Sequence, residues 1–575
     1  REEIRRLVWG DSFVDSDASL NFCIKEIRRA LGDSATSPTF IETVPRRGYR
    51  FLKPVKVVPE AAVPAPIAPP VPAPPAPSLR SRLATLSVAL VLLLLLTLLV
   101  ASRVGQSSSK PRLAVLPLDC RSREPADRPI CGGITEALTA ELTRQFSRDL
   151  DVIAPSSALA YQKKSPAEIR RGLKADYLLS GETKLDRQGL ELTARLSRAT
   201  DGRILGEEIL LGQLKGAPRL YTQIAREVAR QLDLQLTSPQ KDRAKETKPP
   251  SPAYEAFLRG LYLLRHENFK SAAETLQEAT LLDPGFAPAY AALAQARLGI
   301  EPPPDLRATE AAARQAIALD PNLAEGHIAL GRILFGYHYD WEGARRELLT
   351  ALAQDPGSAD AHYRYSVYLA ALGRQAEALA SAQRARELDP ASMMVGSVYA
   401  WYFYLDHQFV EAIHQGRIAV SLFPLSSGSA PMQAKGGKAY CEDTILNSAV
   451  ALRDHETALW AANEIQKYFP TLHEVRDLNE FWHAREKRIE AALRTQPVDP
   501  YSRAKNAMAL GERDRALDLL THHCTPEGVW MPFAAVEPLF DPLHSDPRWS
   551  QVLDCLKLPA DAPARRVRTA TSSSR

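Results

Sequence analysis

Four residues whose side chains recognise DNA bases lie on one predicted helix near the start of the chain. In the segment SLNFCIKEIRRALG, Asn21, Lys25 and Arg28 are spaced i, i+4 and i+7, and Arg29 lies beside them. This spacing places an amide and three cations on one helical face. Lys and Arg pair with guanine acceptors in the major groove, and Asn pairs with adenine. The pattern predicts contact with double-stranded DNA, with an ordinary solvated helix face as the alternative.

The elements that would position this face are a hydrophobic stripe and a hairpin. The stripe, which would bury the helix against a core, consists of Leu20, Ile24, Ile27 and Leu31. The next segment, TFIETVPRRGYRFL, predicts two strands joined by a turn that carries Arg46 and Arg47. Arginines at such a tip suit a minor groove or its phosphates, and a solvated turn is the alternative.

Together these elements resemble the C-terminal effector domain of the OmpR/PhoB winged-helix family. The matching residues are Trp9-Gly10, SLNFCIKEIRRALGD and IETVPRRGYRF. The resemblance implies a partial winged helix (α+β) over residues 1–56, without the family's N-terminal sheet and first helix, and because residue 1 is Arg we expect a truncated chain. It also implies that residues 11–17 contact RNA polymerase. The implied DNA-binding residues are Asn21, Lys25, Arg28, Arg29, Arg46, Arg47 and Tyr49.

Two segments of simple composition follow. Nine prolines between Pro59 and Pro77 predict an extended polyproline linker over residues 57–80, because proline lacks the N–H that helices and sheets require. Residues 83–101 carry no charge, and this length predicts one transmembrane helix over residues 83–102. Basic residues flank both ends, so the charges leave its orientation open.

Residues 111–237 predict a small α/β domain. The segment LAVLPL predicts a strand, ITEALTAELTRQF a helix and LELTARLSRA a half-buried strand. The resulting order, β-α-β-α-β-β-β-α, resembles the domains related to the N-terminal domain of TolB and to FlgO, which accompany repeat arrays in bacterial envelope proteins. Cys120 and Cys131 flank one loop and form a candidate disulfide, with buried free thiols as the alternative.

Prolines mark the ends of repeated units beyond residue 252. Their intervals are 37, 35, 34 and 34 residues, from Pro284, Pro321, Pro356 and Pro390 to Pro424. This period predicts an all-α tetratricopeptide-repeat solenoid over residues 252–557, followed by a disordered tail over residues 558–575. Repeat phase assigns four residues to a concave groove for a protein or peptide ligand, with a core role as the alternative: Arg332, Tyr363, Trp401 and Tyr404.

No sequence motif predicts catalysis or a bound metal. KGGKA (435–439) lacks the leading Gly and the Ser or Thr of a phosphate loop, and HHC (522–524) lacks a second, spaced pair of ligands. The formal net charge of +4 over 575 residues favours no particular partner. The sequence therefore predicts a protein that is not an enzyme and binds no metal or cofactor.

The order of the segments resembles the ToxR/CadC-type membrane-anchored one-component regulators. This resemblance implies a multidomain, phosphorelay-independent transcription regulator in the bacterial inner membrane, single-pass, with a cytoplasmic N-terminus and a periplasmic sensing region. The implied partners are double-stranded DNA, RNA polymerase, the lipid bilayer, a protein or peptide ligand, and a second copy in a homodimer on DNA. An envelope scaffold with a non-functional winged-helix remnant is the alternative.

Overall fold

The computed structural model describes residues 33, 39–44, 48–52, 110–122, 124–186, 189–234, 252–300, 303, 305–422, 432–467, 475–493, 499–522 and 530–565. The chain divides into two compact units, residues 1–105 and residues 106–575, and each is considered by itself.

The described part of the first unit is a β-hairpin. Strand β1 (Ile41–Val44) pairs antiparallel with strand β2 (Gly48–Phe51). The carboxylate of Asp33 accepts hydrogen bonds from the backbone N–H groups of Thr39 and Ile41, at 2.6 and 2.7 Å. These bonds fix the chain where it enters β1, so the hairpin predicted from TFIETVPRRGYRFL is present.

The predicted membrane-spanning helix is not supported. Of the helices that the structure describes, none is both long enough and apolar enough to cross a lipid bilayer. Residues 83–102, where the sequence predicts that helix, lie outside the described residues, as does the linker 57–80. We therefore withdraw the single transmembrane helix from the predicted fold class. The predicted single-pass location in the inner membrane depends on that helix and is withdrawn with it.

The second unit begins with a mixed α/β domain built on a six-stranded sheet. Its elements, in chain order, are β3 (Arg112–Val115), β4 (Asp119–Cys120), α1 (Arg128–Phe146), β5 (Asp151–Ile153), α2 (Pro155–Ala160), α3 (Pro166–Leu173), β6 (Tyr177–Asp186), β7 (Gly189–Arg198), β8 (Ile204–Gly212) and α4 (Ala217–Leu232). The strand order is β5-β3-β6-β7-β8, and β4 pairs with β6. Strand β3 is parallel to β5 and β6, whereas β6, β7 and β8 are antiparallel.

Alternating side chains give the β3, β5 and β6 part of this sheet two covered faces. On β3, Leu113 and Val115 belong to the core shared with α1 and α4, whereas Ala114 belongs to the core of the other face. Helix α3 covers that second face with Ile169 and Leu173. The period-2 alternation of the sequence therefore becomes a helix–sheet–helix layering.

Helix pairs repeat along residues 253–422. They are α5 (Ala253–Arg265) with α6 (Phe269–Leu282), α7 (Ala287–Gly299) with α8 (Leu306–Leu319), α9 (Ala324–Ile333) with α10 (Trp341–Gln354), α11 (Ala359–Ala371) with α12 (Gln375–Leu388), and α13 (Met393–Leu405) with α14 (Phe409–Leu422). Side chains cap several of these helices by accepting a backbone N–H three residues ahead, as Asn268, Asp305 and Asp340 do.

Small residues allow the two helices of a pair to approach closely. Ala378 and Ala385 of α12, and Ala400 and Ala412 of the next pair, are fully buried at the positions that the repeat phase predicts. Because alanine leaves little space between the helix axes, successive pairs stack into one continuous core. The predicted tetratricopeptide-like fold is confirmed for these pairs.

The rest of the second unit packs back onto the repeats. It comprises α15 (Met432–Ala451), α16 (His455–Gln466), α17 (Leu478–Ala492), α18 (Pro500–Ala509), α19 (Arg513–His522), α20 (Trp549–Cys555), and 3-10 helices at Met531–Val536, Pro538–Leu543 and Pro563–Arg565. The Trp341 indole N–H donates to the Leu556 carbonyl at 2.8 Å, and the Ala564 N–H donates to the Leu372 carbonyl at 3.1 Å. Residues 558–565 are thus packed, which corrects the predicted disordered tail over this range.

Candidate functional site

A cavity of about 1250 Å³ runs along the inner faces of α5, α7, α9, α11 and α13, the first helix of each pair in residues 253–422. Within each helix its lining residues recur three or four positions apart, which is the period of one helical face. The lining includes Ala292 and Gln295 of α7, Ile328 and Arg332 of α9, Tyr363 and Val367 of α11, and Val398 and Trp401 of α13. We refer to this cavity as the groove.

Three of the four predicted groove residues lie in its wall. Arg332 is half-buried, and its guanidinium donates to the Leu298 carbonyl at 2.9 Å. Tyr363 is also half-buried. Trp401 is 3% exposed, and its ring centroid lies 4.6 Å from that of Phe533. The groove thus offers a cation and a phenol above an apolar floor to which the Trp401 indole belongs.

The assignment of Tyr404 to the groove is wrong. The side chain is 1% exposed, and its hydroxyl donates to the buried carboxylate of Glu537. The Lys505 amine lies 6.0 Å from the Tyr404 ring centroid. Tyr404 occupies the last turn of α13, where the segment that carries Glu537 covers it, so helical phase alone could not show that it is enclosed.

Helix α1 of the α/β domain forms a wall of the groove that the repeat pattern did not reveal. Glu136, Ala140 and Arg144, spaced four residues apart, line this wall. The guanidinium of Arg265 on α5 donates to both oxygens of Glu136, at 2.8 and 2.6 Å. The groove therefore lies between two domains of the second unit and is not a property of the repeats alone.

Two glycines allow α1 to touch α5. A Cβ atom on Gly133 would lie 2.1 Å from the Leu258 carbonyl oxygen, and one on Gly132 would lie 2.4 Å from the Tyr262 ring. Real Cβ atoms do not approach that closely, so only glycine permits this contact. The adjacent glycines, which directly precede the predicted helix ITEALTAELTRQF, are the one sequence signal that could have pointed to this packing.

A second contact joins the α/β domain to the far end of the groove. Two N–H groups of Arg384 on α12 donate to the carboxylate of Asp151 on β5, at 2.7 and 2.5 Å. The carboxylate of Asp389 accepts from the hydroxyls of Ser156 and Ser157, at 2.6 and 2.5 Å. We refer to these five residues as the polar clasp.

Carboxylates near the groove have raised pKa values. Burial raises the pKa of Asp355 to about 6, and the negative charge of Glu325 acts in the same direction. The Gly357 N–H donates to this carboxylate at 3.1 Å. Burial also raises the pKa of Asp389 in the polar clasp, although the serine hydroxyls oppose it. Removal from water thus favours the neutral form of these groups.

The predicted disulfide pair is brought together. Cys120 at the end of β4 and Cys131 in α1 are bonded, with their Cα atoms 5.7 Å apart.

Cys441 is a free thiol, and its burial raises its pKa to about 12, which makes it a poor nucleophile. Within the described ranges, no cluster of His, Cys, Asp and Glu has the arrangement of a metal site.

Most of the predicted DNA-binding residues lie outside the described residues, namely Asn21, Lys25, Arg28, Arg29, Arg46 and Arg47. The remaining one, Tyr49, lies in β2 opposite Thr43 of β1. In the same hairpin the Arg50 guanidinium donates to the Glu42 carboxylate at 2.8 Å. The charge of Arg50 is therefore paired across the two strands.

Comparison with known proteins gives matches to transcription regulators. Residues 1–51 match the family described as transcriptional regulatory protein, C terminal. The chain is 42% identical over 53 residues to a cholera toxin homolog transcriptional activator of Vibrio parahaemolyticus, covering 9% of this chain and 18% of that protein. It is 38% identical over 61 residues to a cholera toxin transcriptional activator of Vibrio cholerae, covering 10% and 21%.

A longer match corrects the prediction that the protein is not an enzyme. Over 242 residues the chain is 28% identical to a putative adenylate cyclase 3 of Rhizobium meliloti, covering 40% of this chain and 41% of that protein. The exclusion of enzymes rested on missing motifs alone, and a relative named as a cyclase overturns it. The chain spans less than half the length of each of these three relatives.

Some solved structures are similar to part of the chain. One is from a functional characterization of pilF of Pseudomonas aeruginosa, with a TM-score of 0.27 and 22% identity, covering 37% of this chain and 89% of that one. Another is a thermophilic TPR protein of Thermus thermophilus, with a TM-score of 0.28 and 19% identity, covering 35% and 98%. The helix pairs of residues 253–422 give the chain its tetratricopeptide-like region. The family match over residues 1–51 and the two activator matches support a DNA-binding regulator.

Proposed function

We propose that this protein is a transcription regulator that binds double-stranded DNA through its N-terminal region and a protein or peptide segment through the groove. The family match over residues 1–51, which includes the β1–β2 hairpin, is the observation that carries the DNA-binding part. The groove carries the second part, because its wall combines aromatic, charged and apolar side chains on regularly spaced helices.

The DNA contacts would divide into two kinds. Asn21, Lys25, Arg28 and Arg29 would read base edges from the major groove, as the spacing on the predicted helix suggests. Arg46, Arg47 and Tyr49 would position the hairpin on the backbone or in the adjacent minor groove. A homodimer on paired half-sites and a contact of residues 11–17 with RNA polymerase are part of the same proposal.

The arginines of the hairpin provide a matched experiment. The full chain is mixed with a library of duplex DNA, bound sequences are selected, and their affinity is then measured by gel shift across a salt series. We expect Arg46→Ala with Arg47→Ala to weaken binding and to reduce the salt slope by about 1 for each phosphate that is no longer neutralised. The control is Arg50→Ala, which removes one charge from the same hairpin but one that Glu42 already pairs.

The two possible results have different meanings. A reduction in binding by the Arg46/Arg47 variant that clearly exceeds the reduction in the Arg50 variant supports the proposal. If the full chain binds no duplex more tightly as the salt concentration is lowered, the DNA-binding proposal is overturned. The envelope scaffold with a non-functional winged-helix remnant then remains as the alternative.

The groove is tested separately with peptides. A random peptide library is selected on the full chain, and the enriched peptide is titrated by calorimetry. We expect Tyr363→Ala to weaken binding about tenfold, because an aromatic anchor of a binding site typically contributes more than 1 kcal/mol. The control is Tyr365→Ala, which removes a half-buried tyrosine of the same helix that does not line the groove. Equal reductions in peptide affinity in the Tyr363 and Tyr365 variants would contradict a binding site in the groove.

A further inference from the structure

The α/β domain closes the open side of the groove. Helix α1 lies against α5 in the first helix pair, and the polar clasp reaches α12 and the residue that follows it in the fourth pair. A backbone bond reinforces the far contact, since the Ala154 N–H donates to the Leu388 carbonyl at 2.8 Å. The helix pairs and the α/β domain thus surround the groove from both sides.

The floor of the groove is enclosed in this arrangement. Ile328, Val398 and Trp401 line the cavity, yet they are only 6%, 3% and 3% exposed. On one side the segment that begins at Trp530 covers the floor, because the rings of Trp530 and Phe533 pack against the ring of Trp401. A peptide whose side chains reach these residues requires a wider groove than the one described.

The two ends of the α/β domain are held by different chemistry. At the α5 end, Gly133 permits backbone contact with Leu258, and the two domains share one hydrophobic core. At the other end the contact is largely the polar clasp, whose charged and hydroxyl groups find water as an alternative partner when they separate. Opening at the clasp therefore exposes far less apolar surface than opening at α5.

The helix pairs supply the flexibility that opening needs. In a solenoid each repeat contacts mainly its neighbours, so small rotations between pairs add up along the array. Here the α/β domain bridges the first pair to the fourth, which fixes the curvature of the helices between them. The polar clasp, together with the Ala154–Leu388 backbone bond, holds the far end of the array in this curvature.

We propose that the α/β domain gates the groove, with the α1–α5 contact as the fixed end and the polar clasp as the end that opens. This inference rests on the proposed peptide site and adds its regulation. In the closed form the clasp is intact and the floor is enclosed; in the open form the Arg384–Asp151 and Asp389–serine bonds are broken and a peptide reaches Val398.

A cysteine on the floor reports opening without any ligand. In the full chain, Val398→Cys is treated with a bulky maleimide, and labelling of each cysteine is followed by peptide mass spectrometry. Minor conformations are typically populated at roughly 0.1–10%, so we expect Arg384→Ala to raise the labelling rate at position 398 about tenfold or more. Arg384→Lys, which keeps the charge but not the two-pronged contact, should give an intermediate rate.

Two controls separate opening from unfolding. Arg374→Ala removes another arginine that pairs with a carboxylate, Glu377, but within one exposed turn, and it should leave the rate at position 398 unchanged. Cys441, which is free and fully buried, is labelled only if the unit unfolds. If Val398→Cys does not fold, Val367→Cys on the neighbouring helix replaces it as the reporter.

Each result either supports or overturns the gate. A higher labelling rate at position 398 in Arg384→Ala, with Cys441 unlabelled, supports the proposed gate. An unchanged rate in Arg384→Ala, or parallel labelling of positions 398 and 441, would overturn it. Because no peptide is present, failure of the proposed peptide site would leave this result unaffected and would appear only in the calorimetric titration.

Discussion

The phenolic hydroxyl of Tyr501 donates a hydrogen bond to the Glu537 carboxylate at 2.5 Å in the interior of the second unit. Tyr404 donates to the other carboxylate oxygen, and the Lys505 amine lies 3.6 Å away. Glu537 is fully buried and lies between the two 3-10 helices of the segment that covers one side of the groove. This carboxylate therefore ties that segment to α13 and α18.

Replacing Glu537 should strongly destabilise the second unit. Glu537→Ala leaves the Lys505 charge with one carboxylate fewer and two buried hydroxyls without an acceptor. We expect the free energy of unfolding to fall by about 3–5 kcal/mol in urea titrations, and by about 1–3 kcal/mol for Glu537→Gln, which keeps an acceptor. The control Glu377→Ala breaks an exposed pair and should cost less than about 1 kcal/mol. Equal destabilisation by the Glu537 and Glu377 variants would contradict the role given to the buried carboxylate.

Asp443 should make part of this stability sensitive to acid. Burial alone would raise the pKa of Asp443, but the charges of Lys505 and Arg485 hold it at about 2. The unfolded value is about 3.9, so these ion pairs stabilise the folded state at neutral pH, and the contribution is lost as the pH falls from about 4 to about 2.

The test compares the wild-type chain with Asp443→Asn. We expect the difference in unfolding free energy to be largest at pH 7 and to shrink by roughly 2–3 kcal/mol toward pH 2, as measured by urea titration at several pH values. Asp514→Asn, at an aspartate whose side chain is 88% exposed, serves as the control. A difference between wild type and Asp443→Asn that does not change with pH would show that the two cations do not set the ionisation of Asp443.

Local patterns in the sequence predicted the elements that local interactions build. The turn signal in TFIETVPRRGYRFL predicted the β1–β2 hairpin, and the alternation in LELTARLSRA predicted the half-buried strand that is β7. The proline intervals predicted the helix pairs, in which Ala378 is fully buried. In each case the deciding contacts join residues at most one repeat apart, which is the range that periodicity reports.

The composition of the site depends on contacts that periodicity cannot report. Asp151 and Arg384 are separated by 233 residues, and no spacing rule relates a strand of one domain to a helix of another. Tyr404 illustrates the same limit, because the residue that encloses it, Glu537, lies 133 residues further along the chain. The groove role of Trp401 stays a prediction: its side chain lines the cavity, but Phe533 of a distant segment packs against it, which the repeat phase could not show.

Asp355 should have the opposite pH dependence to Asp443. Its pKa of about 6 lies above the unfolded value of about 3.9, so the folded state binds the proton more tightly. The resulting stabilisation is fully present below about pH 4 and is lost as the pH rises through about 6. Asp355→Asn stays neutral and keeps an acceptor for the Gly357 N–H.

We therefore expect Asp355→Asn to be more stable than wild type at pH 8 by roughly 1–3 kcal/mol and equal to it near pH 4, measured by urea titration. Glu325→Gln provides a diagnostic variant. Because the Glu325 charge contributes to the raised pKa, its removal should move the transition of the wild-type profile toward lower pH. A stability gap that is constant from pH 4 to pH 8 would show that the Asp355 ionisation is not coupled to folding.

The contact between α1 and α5 gives the final prediction. Gly133→Ala would place a Cβ atom 2.1 Å from the Leu258 carbonyl oxygen, and because that atom belongs to the backbone of α5 the helices must move apart. We expect a decrease of about 1–3 kcal/mol in unfolding free energy, typical of an overpacked core. In addition, amide hydrogen exchange in α1 and α5 should increase. The control Gly216→Ala is at a residue with a φ of −100° and with no atom within 4 Å of the added Cβ, so it should leave both measurements unchanged. Unchanged exchange in α1 and α5 of the Gly133 variant would mean that the close contact is not what joins the α/β domain to the helix pairs.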